Sequence, residues 1–182
     1  MPHKLAREIV IDASVARASG GEDATYPLPK NCRDFLKTLL EVCHHAVMSP
    51  DIATEWKKHE SNWARTWRAS MVARKKLHMV HPPNDLNLRE QLRKSSMNEK
   101  QGEAMIKDCH LIEAAMATDH RIASLDEAAR SLFGVASYTI VQLIDITWIN
   151  PGDVSEEPIE WLKQGAAPEK SRQLGFKTPR VD

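Results

Sequence analysis

Short apolar runs alternate with longer amphipathic segments along the chain. Runs rich in β-branched and apolar residues predict strands at 8–12, 46–50, 79–80, 121–126 and within 138–151. Apolar residues spaced three or four apart predict helices at 32–45, 51–77 (in one or two pieces), 86–105, 107–120 and 127–133. Strands that alternate with helices indicate an α/β fold whose central sheet is parallel and covered by helices on both faces.

Glycine and proline mark the predicted ends of these elements. Residues 19–31, with two adjacent glycines and two prolines, predict a loop, and Gly134 is expected to end the helix at 127–133. The chain after Pro151 is rich in Pro, Glu, Lys and Gly. We therefore predict one domain over residues 1–151 and a C-terminal tail over 152–182, with one helical turn near residues 159–162.

Composition and charge narrow the class of protein only slightly. The 182 residues include 25 Lys and Arg and 25 Asp and Glu, so the net charge of zero neither favours nor excludes nucleic acid as a partner. Three cysteines do not make a disulfide framework, which favours a reducing cytoplasm. No apolar run approaches the roughly 18 residues of a membrane helix, and the N-terminus lacks the apolar core of a signal peptide. We expect a cytoplasmic protein without a membrane partner.

Two acidic residues stand where predicted strands end. Asp12 follows the apolar residues 9–11, and Asp126 closes the run at 121–126. Parallel sheets place their sites outside the carboxyl ends of the strands, so both side chains are expected on one edge. Two carboxylates that converge repel each other unless a cation lies between them, and hard cations prefer carboxylate and water ligands. The pattern therefore predicts a Mg²⁺ or Mn²⁺ site.

Two further acids fit the same edge. Glu55 lies one turn into the helix after the strand at 46–50, and Asp108 opens the helix before the strand at 121–126. Three of the four acids have a simpler explanation, because Asp108 and Asp126 suit helix N-caps and Glu55 suits a solvated helix face. Asp12 has no cation within its own strand and turn. Asp119 precedes the strand, so we predict a turn residue at the opposite end of the sheet.

Four stretches resemble the PIN-domain ribonucleases, which include the VapC-type toxins of toxin–antitoxin modules. "IVIDASV" is similar to the opening strand of that family, and "SPDIATEW" to the segment with its second acid. "KDCHLIEAAMATDHRIASLDEAARSLF" is the most specific match, with an acid, an alanine-rich helix, a short strand and a hydroxyl-x-Asp sequence. "LIDITWINP" resembles the closing strand. Together they cover about residues 7–151.

The resemblance implies a three-layer α/β/α sandwich and metal-dependent cleavage of single-stranded or structured RNA. It implies that four catalytic acids bind one or two Mg²⁺ or Mn²⁺ ions, namely Asp12, Glu55, Asp108 and Asp126. Ser14 and Ser124 would orient carboxylates or waters. For a toxin, an antitoxin protein is the expected partner. The sequence departs from the family in an expanded helical region at 57–105, in the tail after residue 151, and in having no clear match to a fifth acid.

A basic stretch is the candidate RNA-binding surface. Residues 57–76 contain seven Lys or Arg and one acid, and five of these cations are candidates for phosphate contacts: Arg65, Arg68, Arg74, Lys75 and Lys76. Three tryptophans share one helical stripe with spacings of seven and four residues: Trp56, Trp63 and Trp67. They suit either base stacking or packing in the core or in a homodimer contact.

Other functions are kept as alternatives. A non-catalytic RNA-binding or scaffold protein would have the same fold, and a DNA-directed nuclease would share the metal chemistry. A phosphatase that uses a strand-end aspartate needs a second aspartate where this chain has Ser14. The Cys43-His44-His45 and Cys109-His110 pairs match no standard zinc spacing, so both cysteines are predicted to be small buried residues.

Overall fold

A five-stranded parallel sheet forms the centre of the protein in the computed structural model, which describes residues 5–20 and 26–177. The strands are β1 Glu8–Ile11, β2 His45–Met48, β3 Leu77–Met79, β4 Arg121–Ala123 and β5 Thr147–Ile149. Their order is β3-β2-β1-β4-β5, and each neighbouring pair is parallel. The chain adds β2 and β3 on one side of β1 and then β4 and β5 on the other side. The strand order therefore reverses between β1 and β4. Open parallel sheets bind ligands at such a reversal, outside the carboxyl ends of the strands.

Helices cover both faces of the sheet, which confirms the three-layer α/β/α sandwich. The described helices are α1 Ala13–Ala18, α2 Leu28–Glu41, α3 Pro50–His59, α4 Asn62–Ala73, α5 Leu86–Ser95, α6 Glu99–Met116, α7 Glu127–Ala136 and α8 Pro158–Lys163. The α2 helix packs against α4 and α8, whereas α6 packs against α5 and α7. The central strand is fully buried at residues 9–11, as its continuous apolar run predicts. No helix within residues 5–20 and 26–177 has the length and apolarity needed to cross a bilayer.

Several element boundaries differ from the predicted ones. The α2 helix begins four residues early because prolines suit a first helical turn. The segment 51–77 forms two helices, and Ser61 caps the second by accepting from the Ala64 N–H at 3.1 Å. Gly134 does not end α7, which continues to Ala136, because one glycine costs a helix only about 1 kcal/mol. The predicted strand within 138–151 is limited to β5.

Two of the three tryptophans are core residues, so the base-stacking interpretation is wrong for them. Trp56 and Trp67 are buried, with ring centroids 5.8 Å apart. The Trp56 indole N–H donates to the Ile11 carbonyl at 2.9 Å, and the Trp67 indole N–H donates to the Leu36 carbonyl at 2.6 Å. Trp63 is partly buried against the same core. The bond from Trp56 to Ile11 anchors α3 at the end of β1, one residue from Glu55 and from Asp12.

The segment after residue 151 packs onto the domain as far as it is described, to residue 177. Trp161, Leu162 and Leu174 are buried in the core, and α8 lies against α2. The Leu174 N–H donates to the Ile146 carbonyl at 2.9 Å, and a bridge joins residues 147 and 173. These residues therefore belong to the folded domain and are not a separate tail. The predicted helical turn near 159–162 is α8.

The burial and the contacts of Cys43, Cys109 and His44 can be compared with the predictions. Cys109 is buried as predicted, and burial raises the pKa of its thiol to about 12. Cys43 is exposed, so its predicted burial is wrong. His44 is buried, accepts from the Arg7 N–H at 3.0 Å through Nδ1, and lies 3.0 Å from the Leu162 carbonyl through Nε2. Because the carbonyl can only accept, Nε2 carries the proton, and both ring nitrogens are satisfied within the protein.

Candidate metal centre

Asp12 lies directly after β1, beside the reversal point of the sheet. Its backbone N–H donates to the Ala123 carbonyl at 3.0 Å, which ties it to the end of β4. Its Oδ2 accepts from the Ser14 hydroxyl at 2.5 Å and from the Ser124 hydroxyl at 2.7 Å. No described residue donates to Oδ1. The side chain is about nine-tenths buried, so this carboxylate is held in one orientation with one oxygen available.

The two serines connect the loops that follow β1 and β4. The Ser14 hydroxyl accepts from the Leu125 N–H at 3.1 Å, and the Ser124 hydroxyl accepts from the Asp126 N–H at 3.1 Å. Since each hydroxyl has one proton, accepting from the backbone leaves that proton to be donated to Asp12. The serines therefore present two hydroxyl donors to the same oxygen of the Asp12 carboxylate.

Asp126 is both a helix cap and a member of the acidic cluster. It is the N-cap of α7, and its Oδ1 accepts from the Ala129 N–H at 2.8 Å. Capping therefore explains one oxygen of this side chain, as the simpler interpretation proposed. The second oxygen has no donor among the described residues, and the side chain lines the same pocket as Asp12.

Asp108 does not open a helix, because α6 begins nine residues earlier at Glu99. The capping interpretation is therefore wrong for Asp108. No described residue donates a hydrogen bond to its carboxylate. Burial raises the pKa of this carboxyl to about 6, with further contributions from the charges of Asp126 and Asp12. The negative charges of Asp126 and Asp12 are therefore close enough to act on the Asp108 carboxyl.

One polar pocket brings the four predicted acids together. It has a volume of about 140 Å³, and its lining includes Asp12, Ser14, Glu55, Asp108 and Asp126. Asp119 lies elsewhere, as predicted: its Oδ2 accepts from the N–H of Glu8, the first residue of β1, at 2.9 Å. A larger cavity of about 200 Å³ beside α8 is lined by none of the predicted site residues.

The same pocket contains three side chains that the sequence analysis missed. Arg17, His59 and Lys107 also line it, and all three are exposed. His59 lies one helical turn after Glu55, and Lys107 is next to Asp108 in sequence. These spacings are visible in the sequence. Whether such a neighbour faces the pocket depends on how each helix is rotated about its axis against the sheet. The four acids outnumber the two permanent cations, so the pocket is acidic.

The donor set fits a hard divalent cation, although its oxygens are not yet gathered around one point. Within residues 5–20 and 26–177, no three His, Cys, Asp or Glu side chains are already arranged as a metal-binding group. The ion pairs of this part of the chain use other acids than Asp12, Asp108 and Asp126. Three carboxylates without a counter-ion, one with a strongly raised pKa, form the kind of group that Mg²⁺ or Mn²⁺ neutralises.

Three of the seven cations in the basic stretch at 57–76 contact acceptors within the protein, namely Arg65, Arg68 and Lys76. Arg68 donates to both carboxylate oxygens of Glu60 at 2.7 and 2.9 Å, and the more exposed Arg65 lies 3.4 Å from the same carboxylate. The Lys76 ammonium donates to the carbonyls of Leu39, Leu40 and Val42 at the end of α2. Arg68 and Lys76 therefore have structural roles.

Arg74 and Lys75 are exposed, but they lie at the wrong edge of the sheet for contacts near the acids. Together with Lys76 they directly precede β3, and the Lys76 carbonyl accepts from the Ala46 N–H of β2 at 2.9 Å. The amino ends of parallel strands are on the edge opposite Asp12 and Asp126. Among the described residues, the lysine and arginine side chains that line the acidic pocket are Arg17 and Lys107.

The fold and the site together define an α/β sandwich with an acidic pocket beside the reversal point of its sheet. Comparison of the chain with protein-family models, with curated proteins and with solved structures finds no match.

Proposed function

We propose that this protein is a metal-dependent endoribonuclease of the PIN-domain type, which hydrolyses phosphodiester bonds of single-stranded or structured RNA. The observation that supports this most strongly is the convergence of three aspartates from three separate segments. Asp12, Asp108 and Asp126 line one pocket without a lysine or arginine bridge, next to the reversal point of a parallel sheet. The sequence resemblance over about residues 7–151 supports RNA as the substrate.

In this proposal the three aspartates hold Mg²⁺ or Mn²⁺. When bound, the ion supplies a water of lowered pKa and neutralises charge on the phosphoryl group. The remaining work belongs to side chains of this chain. Ser14 and Ser124 donate to one oxygen of Asp12, so that its other oxygen stays available to an ion in the pocket. Glu55 also lines the pocket and is placed to bind a second ion or to hold the attacking water.

Two exposed cations give the pocket a means of attracting the substrate backbone. Arg17 and Lys107 flank the acids without forming ion pairs to Asp12, Asp108 or Asp126. Phosphate contacts of this kind position a nucleic acid without reading its sequence. If the protein is the toxin of a toxin–antitoxin module, a partner antitoxin would act by covering this acidic pocket.

Cleavage of end-labelled RNA tests the proposal directly. Purified protein is incubated with a single-stranded RNA, with a hairpin RNA and with DNA of the same sequence, in Mn²⁺ or in EDTA. We expect internal cleavage of RNA in Mn²⁺ and none in EDTA. Cleavage of DNA alone would replace the RNA assignment with a DNA-directed nuclease. RNA binding without any cleavage would favour the non-catalytic RNA-binding or scaffold alternative.

A further inference from the structure

His110 is a buried histidine next to Glu55, one of the acids that line the acidic pocket. It lies on α6, two residues after Asp108, and its side chain is 8% exposed. Its Nδ1 is 2.9 Å from the Lys107 carbonyl oxygen. Because a carbonyl only accepts hydrogen bonds, Nδ1 carries the proton and donates it.

The other ring nitrogen faces a carboxylate without a bond. His110 Nε2 is buried and has no hydrogen-bond partner, although Glu55 Oε2 lies 3.4 Å away. A buried ring nitrogen without a hydrogen-bond partner is unfavourable unless a proton or a metal ion joins it to a neighbouring acceptor, and Glu55 Oε2 is such an acceptor.

We propose that His110 Nε2 and Glu55 share a divalent cation, so that the acidic pocket has a nitrogen ligand and selects first-row transition-metal ions over Mg²⁺. Two ligand atoms that are each about 2.1 Å from one ion lie roughly 3.0–3.4 Å apart, which includes the spacing of this pair. Imidazole is a ligand of transition metals, whereas Mg²⁺ prefers oxygen. The inference rests on the proposed metal site, but it does not depend on RNA cleavage.

The bond from Nδ1 to the Lys107 carbonyl supports a ligand role. Histidines that bind metals almost always donate their other ring N–H to a carbonyl or carboxylate, which fixes the tautomer and the ring orientation. His110 already has this arrangement. Glu55, with its side chain 33% exposed, lies on the solvent side of the pair and is free to turn and admit an ion.

The contacts of two other histidines differ from those of His110. His78 lies 2.7 Å from Glu8 Oε1 through Nδ1, at hydrogen-bond distance, and both ring nitrogens of His44 are satisfied. Among the residues that the structure describes, His110 Nε2 is the one buried histidine nitrogen without a hydrogen-bond partner. The open nitrogen therefore distinguishes His110, beside Glu55, from these two histidines.

Pulsed electron paramagnetic resonance of the Mn²⁺-loaded protein tests the proposal. A histidine nitrogen bound to Mn²⁺ produces ¹⁴N modulation of the electron spin echo, and labelling with [¹⁵N]histidine changes that modulation without any substitution. We expect the nitrogen signal in the wild type, its loss in His110→Gln, and its retention in His78→Gln, which alters a histidine–glutamate pair elsewhere. His59→Gln is the second control because His59 also lines the pocket.

Titration calorimetry with Mn²⁺ alone and with Mg²⁺ alone measures selectivity. His110→Gln should weaken Mn²⁺ binding on the order of 10-fold and leave Mg²⁺ binding within about 2-fold. Bound Mn²⁺ without nitrogen modulation in the wild type would overturn the inference and indicate a proton between His110 and Glu55. Loss of the modulation in His59→Gln with retention in His110→Gln would also overturn it. In both cases Asp12-dependent RNA cleavage, measured separately, decides whether the nuclease proposal stands.

Discussion

Asp12→Asn is expected to lower the rate of Mn²⁺-dependent RNA cleavage by at least about 100-fold, because loss of even an indirect contact to a metal ligand costs 10–100-fold. Asparagine retains a carbonyl oxygen that can accept from the Ser14 and Ser124 hydroxyls, so the loops after β1 and β4 remain connected. What is lost is the negative charge at the centre of the acidic pocket. The rate of cleavage of a labelled single-stranded RNA measures the effect, and thermal unfolding verifies that the variant is folded.

Asp145→Asn is the matched control for this variant. Asp145 is an exposed acid just before β5, at the amino edge of the sheet, and the substitution makes the same change in net charge. Its cleavage rate should stay within about 2-fold of the wild type. Cleavage by Asp12→Asn at the rate of Asp145→Asn would remove Asp12 from the catalytic group.

Asp108→Asn is expected to abolish activity and, at the same time, to stabilise the metal-free protein above pH 6. The pKa of the Asp108 carboxyl is raised to about 6 by burial and by Asp126 and Asp12. A carboxyl with a higher pKa in the folded state than in the unfolded state stabilises the fold below its unfolded pKa. That contribution is lost as the pH rises through about 6. Asparagine cannot ionise, so the variant avoids the loss.

Urea unfolding in EDTA measures the size of this effect. A shift of two pKa units corresponds to about 3 kcal/mol, and the partial exposure of Asp108 reduces the expected gain at pH 8 to about 1–2 kcal/mol. At pH 4 and below the two proteins should have nearly equal free energies of unfolding. Mn²⁺ should stabilise the wild type at pH 8 and stabilise Asp108→Asn much less. A variant less stable than the wild type at pH 8 in EDTA would show that Asp108 is not under repulsion.

The fold could be predicted because short buried strands and amphipathic helices have different periods. The short, β-branched apolar run at residues 9–11 favoured a strand covered on both faces, and Asp12 at its end marked the carboxyl edge. Helix boundaries were less predictable. The polar residues 99–106 have a weak apolar face, so they did not reveal that Asp108 lies in the middle of α6.

The acids of the candidate site could be predicted from the sequence, but the side chains that surround them could not. Asp12 and Asp126 follow β1 and β4, and the topology alone places such residues on one edge of the sheet, whereas Asp108 reaches the pocket from the middle of α6. The positions of Arg17, Lys107 and His110 depend on how each helix is rotated against the sheet. The roles of Trp56 and Lys76 depend on carbonyls 45 and 34–37 residues away in sequence, which no local pattern indicates.

Diffraction from crystals soaked in Mn²⁺ tests most directly whether three distant aspartates share one divalent ion. We expect an anomalous peak within about 2–2.6 Å of oxygens of Asp12, Asp108 and Asp126, with the carboxylates drawn together from their metal-free positions. A crystal structure without such a peak, in which Asp12 is bridged to Arg17 or Lys107, would contradict this account.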